Sequence, residues 1–368
     1  MKKVIGLVVA VLLLLSSCAP EQPPAPPQPI YGTTPTVSQK GATVNGTALT
    51  LYGENYVNVA EFCAAVGREF VVHPGIETHT AEITHEISPI CFTTDAQCPT
   101  GTCNYYLTSS IYDGENWYHP LNEVIEFFHY NQLEDAERQH TYYTAYPKAE
   151  SVAEGIRVPA LMYHAVSNDC WGIKELFVSP EGMEEQLQYL TENGYTPITF
   201  DEIDRLDSTE KPVMLTFDDG YEDNYTELFP LLKKYNVKVT IFLIGEFTGR
   251  EHYLTAEQIR EMSESGLVSF QSHTMTHPNL NTCDSAQLDY ELKQSKVAIA
   301  RLTGKEPFVV AYPSGKYNTA SLEVTGQQYQ FGLLSRGGAY TTGTDRVRIP
   351  RYYVSRYTGL SSFKSMIK

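Results

Sequence analysis

Two carboxylates and two histidines have the types and spacing of a metal site. Asp218 and Asp219 follow directly on one short apolar run, and His273 and His277 follow another. Two imidazoles and one carboxylate form a three-ligand set that leaves open positions for water and substrate, as a hydrolytic metal requires. The four-residue spacing of the histidines lets both rings converge, whether the segment is a helical turn or a tight loop. The combination predicts a hydrolytic metal centre.

The elements that must position these residues are short strands. Runs of strand length, rich in β-branched and aromatic residues, occupy residues 159–163, 213–217, 237–243, 268–271 and 308–312. Stretches with helical spacing lie between them, such as 183–190, which Asn193-Gly194 closes. Alternation of strands and helices over about 200 residues predicts an α/β sheet or barrel.

Reactive or turn residues follow four of these runs. His164 follows the first, the two aspartates follow the second, the two histidines follow the fourth, and Pro313-Ser314-Gly315 follows the fifth. In an α/β barrel, the carboxyl ends of the strands form the edge where active sites lie. We therefore expect the chemistry at one edge of the sheet.

The motifs resemble those of a known family. Thr216-Phe217-Asp218-Asp219-Gly220 and the segment from Ser272 to Pro278 are similar to the first two motifs of polysaccharide deacetylases with the NodB homology domain (carbohydrate esterase family 4). Residues 311–318, which read AYPSGKYN, resemble a variant of the third. The resemblance covers about residues 157–356. It implies a deformed (β/α)7 barrel and metal-dependent removal of N- or O-acetyl groups from sugars.

The resemblance also implies a role for each motif residue. Asp218 matches the general base that activates the metal-bound water, while Asp219, His273 and His277 match the metal ligands. The backbone N–H of Tyr312 is expected to stabilise the oxyanion. Zinc is the expected divalent metal, and cobalt and nickel are compatible with the same nitrogen and oxygen ligands.

Two positions depart from the family pattern. The arginine that usually opens the third motif and orients the base is missing near Ala311, and no histidine follows His277 to act as the usual general acid. Arg351 is the candidate for the orienting charge. His164, in Met162-Tyr163-His164, is the candidate for the acid. This pattern resembles the subgroup that de-N-acetylates exopolysaccharides of the poly-N-acetylglucosamine type.

Three functions are compatible with these motifs. The first is removal of N-acetyl groups from an extracellular or cell-wall polysaccharide that contains N-acetylglucosamine. An acetylxylan-type esterase would use the same catalytic residues with a different pocket. A carbohydrate-binding pseudoenzyme would account for the departures, but mere sugar binding does not require Asp218.

The first residues resemble an export signal. Met1-Lys2-Lys3 precedes an apolar run from Val4 to Leu15, which is shorter than the about 20 residues of a stable membrane span. Leu15-Ser16-Ser17-Cys18 resembles a bacterial lipobox, which implies a signal peptide over residues 1–17 and a lipid on Cys18. We expect an exported protein, anchored to the outer face of the cytoplasmic membrane and followed by a proline-rich tether over residues 18–40.

Residues 41–148 form a second predicted domain. Residues 53–70 and 114–131 share a Gly-Glu-Asn turn, an aromatic residue, a short extended piece and an amphipathic helix. The predicted helices carry Phe62, Val66 and Phe70 in the first copy and Val124, Phe127 and Phe128 in the second. The copies resemble copper amine oxidase N-terminal-like repeats, which implies a small α+β domain. A linker over 149–157 and a catalytic domain over 158–368 complete the predicted organisation.

The composition limits the partners. Acidic residues outnumber basic ones by 44 to 27, for a formal charge of −17, and no basic block interrupts them. Nucleic-acid binding is therefore not expected, because it depends on neutralising phosphates. The predicted partners are an acetylated polysaccharide and, through the lipid anchor only, a membrane; the sequence indicates no oligomeric state. Beyond Cys18, six cysteines are compatible with disulfides in an exported protein.

Overall fold

A computed structural model describes residues 116–127, 131–138 and 140–368, together with separate strands and one helix between residues 30 and 112. The export signal and Cys18 lie outside these residues. In the described ranges, none of the helices combines the length and the apolar character that crossing a membrane requires. Cys170 and Cys283 are free thiols, and Cys91, Cys98 and Cys103, three of the six cysteines compatible with disulfides, lie outside the described side chains.

The C-terminal part is built on a curled sheet of seven parallel strands. In chain order they are β1 (Ala160–Tyr163), β2 (Pro212–Phe217), β3 (Val239–Leu243), β4 (Val268–Ser272), β5 (Val309–Ala311), β6 (Phe331–Leu333) and β7 (Tyr352–Tyr353). Their spatial order is β6-β5-β4-β3-β2-β1-β7. A bridge between Leu333 and Ile349 joins β6 to the residues before β7, so that the two edges nearly meet. This is the predicted deformed (β/α)7 barrel.

The side chains of these strands alternate between two cores. Leu215 and Phe217 of β2 belong to an outer core that they share with Leu187 of a covering helix. Met214 belongs to the core inside the barrel, and Thr216 lies on the same inner side because successive side chains of a strand point to opposite faces. Asp218 continues this inner alternation directly after the strand, which places its carboxylate over the centre of the barrel.

Helices cover the outside of the sheet. They are Pro180–Glu192, Phe229–Tyr235, Ala256–Glu264, Ser285–Asp289, Ser295–Thr303, Thr319–Gln328 and Leu360–Ile367. The predicted helix around 183–190 is confirmed: the Ser179 side chain caps it by accepting from the N–H of Gly182. The helix ends at Glu192 and is followed by Asn193 and by Gly194, which has a left-handed φ of 69°.

In the N-terminal part, a strand leads directly into a helix within both segments of the predicted repeat. Glu54–Asn58 leads into the helix Val59–Ala65, and Trp117–Pro120 leads into the helix Leu121–Phe127. The two strands pair antiparallel in a five-stranded sheet. One expectation is wrong: Phe70 begins the strand Phe70–His73, because the first helix ends at Ala65. Val66 and Phe128 lie outside the described residues.

Two contacts cross the predicted domain limits. The strand Ile30–Thr33 pairs with Thr47–Leu51, so the N-terminal sheet extends into the region predicted as tether. The hairpin of Asn131–Asp135 and His140–Thr144 packs against the catalytic part, where Arg301 donates two hydrogen bonds to the buried Asp135 carboxylate.

Candidate active site

A cavity of about 650 Å³ opens at the carboxyl edge of the barrel strands. It is lined by every site residue that the sequence singled out in the motifs except the buried Arg351, namely His164, Asp218, Asp219, His273, His277 and Tyr312. These residues follow or end β1, β2, β4 and β5, which confirms that the strand ends converge on one edge. The wall of the cavity is apolar and aromatic, formed by Ile173, Leu176, Tyr221 and Tyr353.

Three of these residues form a group that fits a metal ion. The Oδ1 atom of Asp219 lies 3.4 Å from Nε2 of His273 and 3.5 Å from Nε2 of His277. A tetrahedral metal with bonds of about 2.1 Å separates its ligands by about 3.4 Å. The same Oδ1 atom is buried and accepts no hydrogen bond from any described residue. A buried oxygen without a donor is costly unless a cation satisfies it, so the donor set fits a divalent metal.

The His273 ring is already oriented for ligation. Its Nδ1 lies 2.8 Å from the Ala311 carbonyl oxygen and donates to it, which leaves Nε2 facing Asp219. Burial lowers the pKa of His273 to about 4, so the imidazole is neutral at pH 7. A neutral ring with its second nitrogen bonded to a carbonyl is the form in which histidine binds metal.

The segment between the two histidines is a loop and not a helical turn, the alternative that the spacing left open. Thr274 and His277 have left-handed φ angles of 68° and 64°, which residues other than glycine adopt only when their surroundings hold them there. The Glu291 carboxylate supplies that constraint. It accepts from the N–H groups of Met275 and Thr276 at 2.9 and 2.8 Å.

Removing this constraint should weaken metal binding. We expect Glu291→Ala to raise the metal dissociation constant about 10–100-fold, because partners that orient ligands typically contribute this much. Metal titration of the chelator-treated protein measures the change, and excess metal should recover activity. Asp289→Ala is the matched control, since its carboxylate is exposed and pairs with Lys293 on the outside of the same segment. Unchanged affinity in a folded Glu291→Ala protein contradicts the assignment.

Asp218 is held by a buried arginine. Arg351 donates from its two terminal nitrogens to both carboxylate oxygens at 2.7 and 2.8 Å, and also to the Thr216 hydroxyl at 2.9 Å. Burial alone would raise the pKa of Asp218, but Arg351, with His273 and His164, holds it well below its usual range. The carboxylate is therefore ionised near neutral pH and fixed in one orientation, and Arg351 occupies the place predicted for an orienting charge.

His164 is fixed through its backbone by two residues to which the sequence assigned no role. Asn224 donates from its side-chain amide to the His164 carbonyl oxygen at 2.9 Å. Asp223 accepts from the N–H of Val166 at 2.9 Å. Burial raises the pKa of Asp223 to about 6. Both residues follow the first motif in Tyr221-Glu222-Asp223-Asn224, and their polar character before a helix is the signal that could have identified them.

The expectation for Tyr312 is wrong. Its N–H donates to the Leu333 carbonyl oxygen at 3.0 Å, as part of the pairing between β5 and β6. It is therefore not available to an oxyanion. The next N–H along the chain belongs to Ser314, which lines the cavity with a left-handed φ of 53°. In the described part of the chain, no oxygen atom accepts a hydrogen bond from the Ser314 N–H.

Comparison with known proteins agrees with the geometry. A family model described as polysaccharide deacetylase matches residues 205–330. YxkH of Bacillus subtilis, whose name assigns it to the polysaccharide deacetylases, is 35% identical over 233 residues, which span 61% of this chain and 80% of the relative. A poly-β-1,6-N-acetyl-D-glucosamine N-deacetylase of Staphylococcus epidermidis is 30% identical over 216 residues, or 53% of this chain and 73% of the relative.

A solved structure supports the same relationship. The Streptococcus pyogenes deacetylase PplD, in complex with acetate, superposes with a TM-score of 0.54 and 28% identity. The match covers 58% of this chain and 99% of that one. The chain belongs to the polysaccharide deacetylase family and is a hydrolase, and its relatives named as N-deacetylases act on carbon–nitrogen bonds.

Proposed function

We propose that the chain is a metal-dependent N-deacetylase of a cell-wall or extracellular polysaccharide that contains N-acetylglucosamine. One observation carries the proposal: the ionised Asp218, locked by Arg351, faces the same cavity as the group of Asp219, His273 and His277. A general base beside a three-ligand metal group is the constellation of metal-assisted hydrolysis. The names of two relatives, one acting on poly-β-1,6-N-acetyl-D-glucosamine, support the substrate class.

The metal is held by Asp219, His273 and His277, with zinc as the proposed ion and cobalt or nickel compatible with the same donors. When bound, it lowers the pKa of a coordinated water and polarises the acetyl carbonyl. Proton transfer and stabilisation of the developing negative charge depend on the protein groups around the metal. Their burial matters because electrostatic interactions are stronger where bulk water is excluded.

Asp218 accepts the proton of the attacking water as the oxygen adds to the acetyl carbon. The Ser314 N–H donates to the carbonyl oxygen, where negative charge develops. His164 then gives a proton to the nitrogen as the carbon–nitrogen bond breaks, which releases acetate and leaves a free amine on the sugar. The family's usual histidine after the second motif is absent, and among the described residues His164 is the one histidine that lines the cavity outside the metal group.

The role of His164 depends on the leaving group. An amine cannot depart as an anion near neutral pH, whereas an activated phenolate can. We therefore expect His164→Ala to lose about 10²–10⁴-fold in rate on an N-acetylated sugar and far less on nitrophenyl acetate, at unchanged metal content. His252→Ala is the matched control, since His252 stacks on Trp171 outside the cavity lining. Equal losses on both substrates mean that His164 has a structural or oxyanion-binding role.

The two other candidate functions differ in measurable products. An acetylxylan-type esterase releases acetate from O-acetylated xylan, and a carbohydrate-binding pseudoenzyme releases none. The intact pair of Asp218 and Arg351 favours turnover, because neither residue is needed at this position merely to bind sugar.

Acetate release from N-acetylglucosamine oligosaccharides and from acetylxylan, with and without a chelator, separates these functions. We expect chelator-sensitive acetate from the oligosaccharides with one free amine per acetate. Acetate from acetylxylan alone supports the esterase. No acetate from either substrate at full metal occupancy supports the pseudoenzyme.

The proposed location follows from the N-terminal motif alone. A lipid on Cys18 places the enzyme on the outer face of the cytoplasmic membrane, and the proline-rich residues after it extend toward the cell wall. The repeat-built domain then acts as a spacer or presents the polymer to the cavity.

A further inference from the structure

We propose that Arg336 binds an anionic group of the sugar chain beside the acetylated residue, so that the preferred substrate is an acetylated polysaccharide carrying carboxylate or phosphate groups. The inference rests on the proposed deacetylase function of the same cavity. Arg336 lines that cavity together with the metal group and the base.

The charge balance of the cavity leaves Arg336 without a protein partner. Only two carboxylates, Asp218 and Asp219, belong to the described residues that line it. The first is paired with Arg351 and the second belongs to the metal group. Arg336 is exposed. In a chain with 44 acidic and 27 basic residues, an arginine whose cavity offers it no free carboxylate is available to an anion from outside.

Other arginines of the described part differ in this respect. Ion pairs engage Arg250, Arg301, Arg348 and Arg351. Arg205 and Arg260 form none, but each lines a pocket that also contains carboxylates, Asp201 and Glu202 for the first and Glu264 for the second. Among these seven arginines, Arg336 is the one that lines the catalytic cavity and has no free carboxylate in the lining of its pocket.

The loop that carries Arg336 is built onto the segment that carries Arg351. The Leu334 carbonyl oxygen accepts from Nε of Arg351 at 2.7 Å, and the Gly338 N–H donates to the Arg351 carbonyl oxygen at 3.2 Å. Gly337 has a φ of 124°, and a Cβ atom there would lie 2.8 Å from Cβ of Pro350. The loop therefore requires glycine at this position and has a fixed path relative to Arg351, which holds the base.

A second contact places the loop against the third motif. A Cβ atom on Gly315 would lie only 2.2 Å from Oγ of Ser335. Ser335 therefore packs so closely against residue 315 that only glycine fits there. Ser314 and Ser335 line the cavity on either side of this contact. Arg336 is thus held at the rim next to the N–H proposed to meet the acetyl oxygen, where an adjacent sugar unit of a polymer must pass.

The chemistry of guanidinium selects the ligand. Its planar fork donates two parallel hydrogen bonds to a carboxylate or a phosphate, and it stays charged at all physiological pH values. Such a contact made at a rim contributes chiefly to substrate binding and is screened by salt. A neutral homopolymer of N-acetylglucosamine offers no group of this kind.

The test compares three oligosaccharides. The first alternates N-acetylglucosamine with an N-acetylated sugar that bears an ether-linked carboxylate, the second is the same chain with its carboxylates converted to neutral amides, and the third is an N-acetylglucosamine oligomer with a phosphodiester substituent. We expect wild-type kcat/KM to be at least about tenfold higher on a charged chain than on the amidated one, mainly through KM. The phosphodiester arm shows which anion is preferred.

Arg336→Gln should reduce the ratio of charged to amidated kcat/KM to near one, and Arg336→Lys should retain part of it. Arg260→Gln is the matched control, because Arg260 is another arginine without an ion pair, outside the catalytic cavity; it should keep the wild-type ratio. A wild-type ratio near one, or a ratio unchanged in Arg336→Gln, overturns the inference and leaves the deacetylase function standing. Absence of acetate from all three oligosaccharides overturns the proposed function itself.

Discussion

Asp218→Asn is expected to lower the deacetylation rate by about 10²–10⁴-fold, the typical contribution of a general base, while the protein still binds metal. The amide has nearly the shape of the carboxylate but cannot accept the proton of the attacking water. Metal content by elemental analysis and the rate of acetate release measure the two halves of this prediction. A rate near that of the wild type means that another residue is the base.

This variant also has a stability effect, which follows from the burial of Arg351. The guanidinium is fully buried and loses its anionic partner when Asp218 becomes neutral. An unpaired buried charge destabilises a fold by several kcal/mol, so the thermal midpoint should fall. Rates must therefore be compared at a temperature at which circular dichroism shows the variant folded.

Loss of any one metal ligand is the second large expected effect. Asp219→Ala, His273→Ala and His277→Ala should each abolish both stoichiometric metal binding and activity, because each removes one of three protein ligands. Asp219→Ala removes an Oδ1 atom that accepts no hydrogen bond from any described residue, but it also places alanine at a left-handed φ of 76°, which is strained. His273→Ala also removes the hydrogen bond to the Ala311 carbonyl oxygen.

The measurement is metal content after dialysis, with His252→Ala as a control that keeps its metal. One equivalent of tightly bound metal in a ligand variant contradicts the role of that residue. Activity that survives in the metal-free variants contradicts the assignment of this group as a catalytic metal site.

Much of this site could be predicted because strand ends are a local feature of sequence. Apolar runs ending in Asp218 or before His273 indicate which residues lie at the active edge of a barrel, whatever the order of the strands. The role of Arg351 was predicted in a different way, because the third motif lacks the arginine that usually orients the base. The structure brings its guanidinium to both oxygens of Asp218, although 133 residues separate the two.

Features that depend on a neighbouring strand or a distant residue were missed. Tyr312 was expected to offer its N–H to the substrate, but β6 pairs with β5 and its Leu333 oxygen accepts that N–H. Glu291 holds the histidine loop from a helical segment 16 residues after Met275, and no local pattern marks a buried carboxylate as an acceptor for a distant loop. Sequence spacing shows where a chain turns, but it does not show which backbone groups the sheet will occupy.

The position of Arg336 could be predicted only in part from the sequence. The two glycines that follow it, with φ angles of 124° and 102°, are visible in the sequence as a turn. The sequence does not show why glycine is required there, because the reason is the packing of the loop on Pro350 and its hydrogen bond to Arg351. A charged residue before a glycine pair at the end of a barrel strand is therefore a pattern worth testing as a substrate contact.

We propose above that this chain removes N-acetyl groups with a metal held by Asp219, His273 and His277. The most direct measurement is to strip the protein with a chelator, add zinc in steps, and count free amines formed on N-acetylglucosamine oligosaccharides at each step. We predict no amine without metal and a rate that rises linearly until one metal per chain is bound, with Asp218→Asn binding the same metal but forming few amines. Amine formation by the stripped protein, or none at one metal per chain, contradicts the claim.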